Sequence, residues 1–107
     1  MIVFKKNLYL GESAKKEKHK IIRNIRRHKL QFGVYVIALC VNGRDMFDLI
    51  PTYMLGTDGY KGRDITILGL AKGKEEAGEV ACRMIEDAMS AQTEIHELGT
   101  KIRRYFE

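Results

Sequence analysis

The stretch GVYVIALCV, residues 33–41, decides the fold class. It is apolar almost throughout and rich in β-branched and aromatic side chains. A strand wet on one face alternates apolar with polar residues, so a continuous apolar run belongs to a strand covered on both faces. A second such run, ITILGLA, stands at 65–71, and a shorter extended segment, IVFKKNLYL, at 2–10. Segments of helical period lie between and after them. From Ala14 to Leu30, Ala14, Ile21, Ile22 and Ile25 share one stripe, with Ser13 as the expected N-cap. From Lys74 to Met89 the stripe is Ala77, Val80, Ala81, Met84, Ile85 and Ala88. Asp45 to Leu55 reads as a short helix, with Asp48 capping it and Pro51 in its first turn. Strands alternating with helices are the pattern of a parallel sheet joined by right-handed crossovers. The expectation is one α/β domain over residues 1–107, a small three-layer domain with a mostly parallel three-stranded sheet and about three to four helices. So small a sheet has two open edges, and a homodimer covering an edge or a helix face is expected.

Size and composition agree with a single folded domain. The chain has 107 residues, 45% of them hydrophobic and 31% charged, which suits a packed core rather than a disordered chain. No apolar run approaches the roughly 18 residues needed to span a bilayer. The opening MIVFKKNLYL interrupts its apolar residues with Lys5 and Lys6, unlike a secretory signal. A cytoplasmic location without membrane contact is therefore expected. Cys40 and Cys82 lie far apart among apolar residues and read as buried, unreactive thiols. They and the scattered His19, His28 and His96 lack the short spacing of a metal site, so neither metal nor cofactor is expected.

The net charge of +5 is unevenly placed. Residues 1–30 hold ten Lys/Arg against two Glu, whereas residues 31–107 hold nine Lys/Arg against twelve Asp/Glu. The excess is concentrated on the residue 14–29 helix, where Lys15, Lys16, Lys20, Arg23, Arg26 and Arg27 form a candidate polyanion-binding set. Like charges four apart on a helix, such as Lys16/Lys20 and Arg23/Arg27, cost about 0.2–0.5 kcal/mol per pair. Keeping several such pairs points to a polyanionic partner, nucleic acid or an acidic protein, although a solvated lysine-rich face would look the same. No zinc-finger, RNP or KH pattern accompanies the helix. Binding to nucleic acid would therefore run through the backbone phosphates, with little sequence preference.

A second candidate set follows from the expected parallel sheet, whose strands would end on one rim. Gly11, Ser13, Asn42, Lys72 and Gly73 would gather there as an anion or small-ligand site, suited to a phosphate or nucleotide. The run GLAKGKE at 69–75 is one residue short of a phosphate-binding loop and has Glu75 where a Ser or Thr should hold magnesium. Gly56, Gly59 and Gly62 precede a strand rather than follow one, so they supply turns and at most a lid carrying Tyr60. No catalytic residues are assigned. Asp45, Asp48 and Asp64 are explained as caps or turn residues, and the balance leans away from an enzyme. The leading expectation is a non-catalytic module whose basic helix engages nucleic acid. The alternatives are a small-ligand domain and a structural partner in a larger protein complex.

Two stretches, NLYLGESAKKEKHKIIRNIRR at 7–27 followed by GVYVIALCVN, and ITILGLAKGKEEAGEVACRMIEDA at 65–88, resemble a family of short, uncharacterised proteins of anaerobic Gram-positive bacteria. The resemblance implies that the strand-to-helix turns at Gly11-Glu12-Ser13 and Ala71-Lys72-Gly73 belong to one recurring architecture. It implies no activity and no site residues.

Overall fold

The computed structural model describes residues 1–39, 47–57 and 59–90. Strand β1 (Ile2–Leu10) leads into a one-turn helix α1 (Glu12–Lys15) and then α2 (Lys18–Arg26). Strands β2 (Val34–Leu39) and β3 (Phe47–Pro51) are followed by a 3₁₀ turn over Thr52–Gly56. Strand β4 (Ile65–Lys72) and helix α3 (Lys74–Ser90) complete the described chain. The four strands form one sheet in the order β1-β4-β2-β3, with β1 parallel to β4 and the β4–β2 and β2–β3 pairs antiparallel.

The α/β class is as expected, but the sheet is mixed and mostly antiparallel, not mostly parallel, and has four strands rather than three. The reason is physical. A continuous apolar run reports that both faces of a strand are covered and carries no information on its direction. Here β4 lies between β1 and β2, and helices cover both faces. One face packs Val36, Ala38, Ile65, Ile67 and Leu70 against Ala14, Ile21 and Ile25 of α1 and α2 and against Leu55 of the 3₁₀ turn. The other packs Ile37, Leu68 and Ala71 against Ala77, Val80, Met84 and Ala88 of α3.

The expected helix at 45–55 is replaced, over its described residues, by β3 and the 3₁₀ turn. Asp48 does not cap a helix; it sits in β3 opposite Ala38. Pro51 is the last residue of β3, on the edge of the sheet, where a missing N–H breaks no inner ladder. The same residues satisfy a helix-start pattern and an edge-strand end, and pairing with β2 decides between them. In the tail, residues 93–107, Ile95, Leu98, Ile102 and Tyr105 have helical spacing but Gly99 interrupts it, so that sequence leaves its form open. The tail lies outside the described residues.

The first basic helix is also not continuous. It is split at Lys16-Glu17 into α1 and α2, and the N-cap is Gly11 rather than Ser13. Helix α2 ends in a left-handed residue, His28 at φ 56°, with the Lys29 N–H donating to the Asn24 carbonyl at 2.9 Å. This is the closing geometry that glycine serves best. Replacing His28 by Gly is expected to stabilise the fold by about 0.5–1 kcal/mol, since a side chain at positive φ costs about 1–2 kcal/mol and glycine gives part of that back as unfolded-state entropy. Denaturant unfolding of the H28G variant measures it.

Between the Phe4–Ile67 and Tyr9–Gly69 pairs, β1 bulges outward, and at the same level the β2–β4 register also shifts. Gly69 lets the strands close up there, because a Cβ on it would sit 3.1 Å from the Tyr9 carbonyl oxygen and 3.4 Å from Ile37. The shift at Leu68 turns successive side chains, so that Ile65 and Ile67 but also Leu70 reach the α2 face.

Candidate nucleic-acid interface and neighbouring anion cradle

Helix α2 buries Ile21 and Ile25 and turns a cationic surface outward. Lys20, Arg23 and Arg27, at i, i+3 and i+7, share the exposed side, and Lys16 joins them from the turn that precedes the helix. Among the described residues, no carboxylate pairs with Lys16, Arg23 or Arg27, while Lys20 lies 3.7 Å from Glu17. Lys15 is exposed on α1, one turn earlier. Arg26 departs from the set. It leans toward β1, with its guanidinium 5.3 Å from the centre of the Phe4 ring. Four of the six expected cations thus share one face by spacing, while Lys15 lies apart on α1 and Arg26 turns to β1.

The second expected set is brought together in part. Gly11, Ser13, Lys72 and Gly73 meet on the rim where β1 and β4 end. Asn42 lies outside the described residues. Strand β2 runs the other way, with Val34 opposite Lys72, so its carboxyl end faces the opposite rim. The parallel arrangement that would have gathered Asn42 with the others is therefore absent.

The cradle on this rim already holds a carboxylate, and it is the protein's own. Glu76 accepts the Ser13 N–H at 2.8 Å and the Lys72 N–H at 2.5 Å. The Gly11 N–H donates to Leu70 and the Gly73 N–H to Gly33, so these donors are taken as well. The Lys72 ammonium is bound by Glu17. Burial alone would raise the Glu76 pKa, but the N–H groups of Lys72, Ser13 and Ala14 and the Ser13 hydroxyl outweigh it and hold the carboxyl below its ordinary value. Glu17 is likewise held low, by the hydrogen bond and charge of Lys72 and then by Lys20, against a small opposing effect of burial.

Gly11 belongs to this arrangement. A Cβ there would lie 2.4 Å from the Glu76 carboxyl carbon, so any larger residue must push the carboxylate aside. Glu76 itself supplies the anion that the rim holds. Replacing Glu76 by Gln is expected to cost about 1–2 kcal/mol, because two charge-assisted hydrogen bonds become neutral ones. The sign with pH follows from the lowered pKa. The native state releases this proton more readily than the unfolded chain, so the contribution is complete above the ordinary value of about 4.5 and fades as the pH falls through the lower folded value. Thermal melts from pH 7 to pH 3 are expected to show a shallower acid limb in E76Q than in the wild type.

Other expected roles also change. Cys82 is a free thiol exposed on α3 rather than a buried one, and Cys40 lies outside the described residues. Asp64 accepts the Met1 ammonium at 3.0 Å. Among the described residues, no cluster of His, Cys, Asp and Glu could hold a metal ion, and no helix is long and apolar enough to cross a membrane.

One feature was not legible in the sequence. At the opposite rim, where β1 and β4 begin, a groove of about 710 Å³ opens between the end of α2, the end of the 3₁₀ turn and the glycine-rich loop. Its residues come from three distant segments, and no sequence signal groups Arg26 of the basic helix with Tyr60 and the glycines of the loop.

Compared with protein-family models, curated proteins and solved structures, the chain matches none.

Proposed function

We propose that this protein is a non-catalytic binding module that holds nucleic acid by its phosphate backbone on the outward face of α2. The observation that carries the reading is the unpaired state of Lys16, Arg23 and Arg27 among the described residues, beside Lys20 on the same exposed face. Glu17 takes Lys72 and Lys20, and Glu76 closes the rim of the sheet, so neither acid is engaged with Lys16, Arg23 or Arg27. The α2 cations are left for something outside the described chain. A surface of this kind neutralises phosphates and releases their counterions, and it reads no base edges.

Fluorescence anisotropy of labelled DNA and RNA oligomers, repeated from low to physiological salt, tests the reading. Binding with log K falling linearly in log salt supports it, and the slope counts phosphates at about 0.7–0.9 per contact. No binding even at low salt would overturn it.

Among the described residues, no strand pairs with the outer edge of β1 or β3, and Leu49 on β3 is partly exposed. A second copy covering one edge would continue the sheet and extend the basic face along a strand. Light scattering at micromolar concentration reads the mass directly; a monomer would remove this part of the proposal.

A further inference from the structure

We infer that the groove at the rim where β1 and β4 begin is a second binding site, one for a single nucleotide unit: a phosphate joined to a planar ring. Its floor is apolar, with Ile25 and Leu55 buried and Ile2 half-buried. Its rim carries three exposed cations, Arg26, Lys61 and Arg63. Among the described residues, none of the three pairs with a carboxylate and no carboxylate lines the groove. Among the described residues, the nearest acid in sequence, Asp64, is engaged by the Met1 ammonium.

The aromatic element is Tyr60, half-buried against the α2-side core and held by the turn in which its N–H donates to Thr57 and its carbonyl accepts from Arg63. Its hydroxyl has no hydrogen-bond partner among the described residues. Arg26 is steered to the rim by its contact with Phe4, which takes it out of the outward α2 face.

A volume of about 710 Å³ falls within the roughly 300–1,000 Å³ of small-ligand sites. An apolar floor beside an aromatic ring accepts the flat face of a base, and guanidinium and ammonium groups at the mouth accept its phosphate. A purely apolar ligand would leave three cations unused, and inorganic phosphate would leave the floor unused. The nucleotide unit uses both. It could be a free mononucleotide or an unpaired nucleotide of a strand, and the residues involved are separate from Lys20, Arg23 and Arg27.

The experiment sets wild type beside three variants, Y60A, Y60F and K61E/R63E, each first shown to be folded by circular dichroism. Calorimetry with mononucleotides, ribose 5-phosphate and inorganic phosphate forms one arm; anisotropy with single-stranded and duplex oligomers forms the other. Mononucleotide binding that exceeds binding of either phosphate alone, is lost in Y60A and K61E/R63E and is kept in Y60F, assigns the site to a free nucleotide. Mononucleotides that fail, with single-strand affinity falling about ten-fold in Y60A and K61E/R63E and duplex affinity changing less, assign it to a nucleotide of a strand. If neither arm responds to these variants, the inference is overturned. A K20E/R23E/R27E variant is carried in both arms. It is expected to retain mononucleotide binding, so a failure of the α2 surface and a failure of the groove are read separately.

Discussion

Reversal of Lys20, Arg23 and Arg27 to glutamate is expected to lower oligonucleotide affinity by about 100-fold or more at low salt. Each reversal removes one phosphate contact and places a negative charge on the same path, and phosphate contacts supply essentially all of the affinity of a sequence-independent binder. The salt dependence should change with it: losing three contacts flattens the log–log slope by about 2–3 units. The fold should not suffer. All three side chains are exposed, and α2 is held by Ile21 and Ile25 beneath them. The reversal keeps like charges at positions 23 and 27 and turns the exposed Glu17–Lys20 attraction into repulsion, each change worth only a few tenths of a kcal/mol. Anisotropy over a salt series, beside a thermal melt of the same variant, gives the answer. Unchanged affinity in a folded variant would remove α2 from the binding surface.

Ile67→Ala is expected to be the most damaging single substitution to stability, at about 2–5 kcal/mol out of a total of about 5–15. Ile67 is fully buried and sits in β4, with Phe4 of β1 on one side and Ala38 of β2 on the other. The α2-side core closes over it, so the cavity left by truncation has little room to collapse. The half-buried Ile2, paired with the first residue of β4 at the sheet's edge strand, provides the comparison. Ile2→Ala should cost clearly less, about 1 kcal/mol, because part of its surface is already wet. Equal costs in urea unfolding would contradict an inner position for β4, and with it the strand order.

Much of the α/β class was legible because it rests on local signals. The runs at 33–41 and 65–71 declare strands covered on both faces, and β2 and β4 are those strands. The spacing of Ala77, Val80, Met84 and Ala88 declares the buried stripe of α3, and those four are its buried residues. The concentration of cations at 15–29 needs no structure to be seen. Strand direction was not legible, because an apolar side chain packs as well in an antiparallel ladder as in a parallel one. The segment around Asp48 and Pro51 was misread because cap residues and edge-strand residues are chemically the same; only pairing with β2 makes it a strand.

The candidate sites divide in the same way. Sequence by itself determined that α2 is amphipathic and cationic, since period and charge are properties of consecutive residues. The expectation of a parallel sheet grouped Gly11, Ser13, Asn42, Lys72 and Gly73, of which Gly11, Ser13, Lys72 and Gly73 meet and Asn42 lies outside the described residues. Tertiary structure alone decided what that group does, because Glu76 reaches it only once α3 packs beside β1 and β4. It alone detached Arg26 from its neighbours, by bringing Phe4 beneath it. And it alone made the groove, whose lining comes from the start of β1, the end of α2 and the loop before β4. Period and charge are written in neighbouring residues. A cavity or a saturated cradle is a relation among residues some sixty positions apart, and it exists only after the sheet has chosen its strand order.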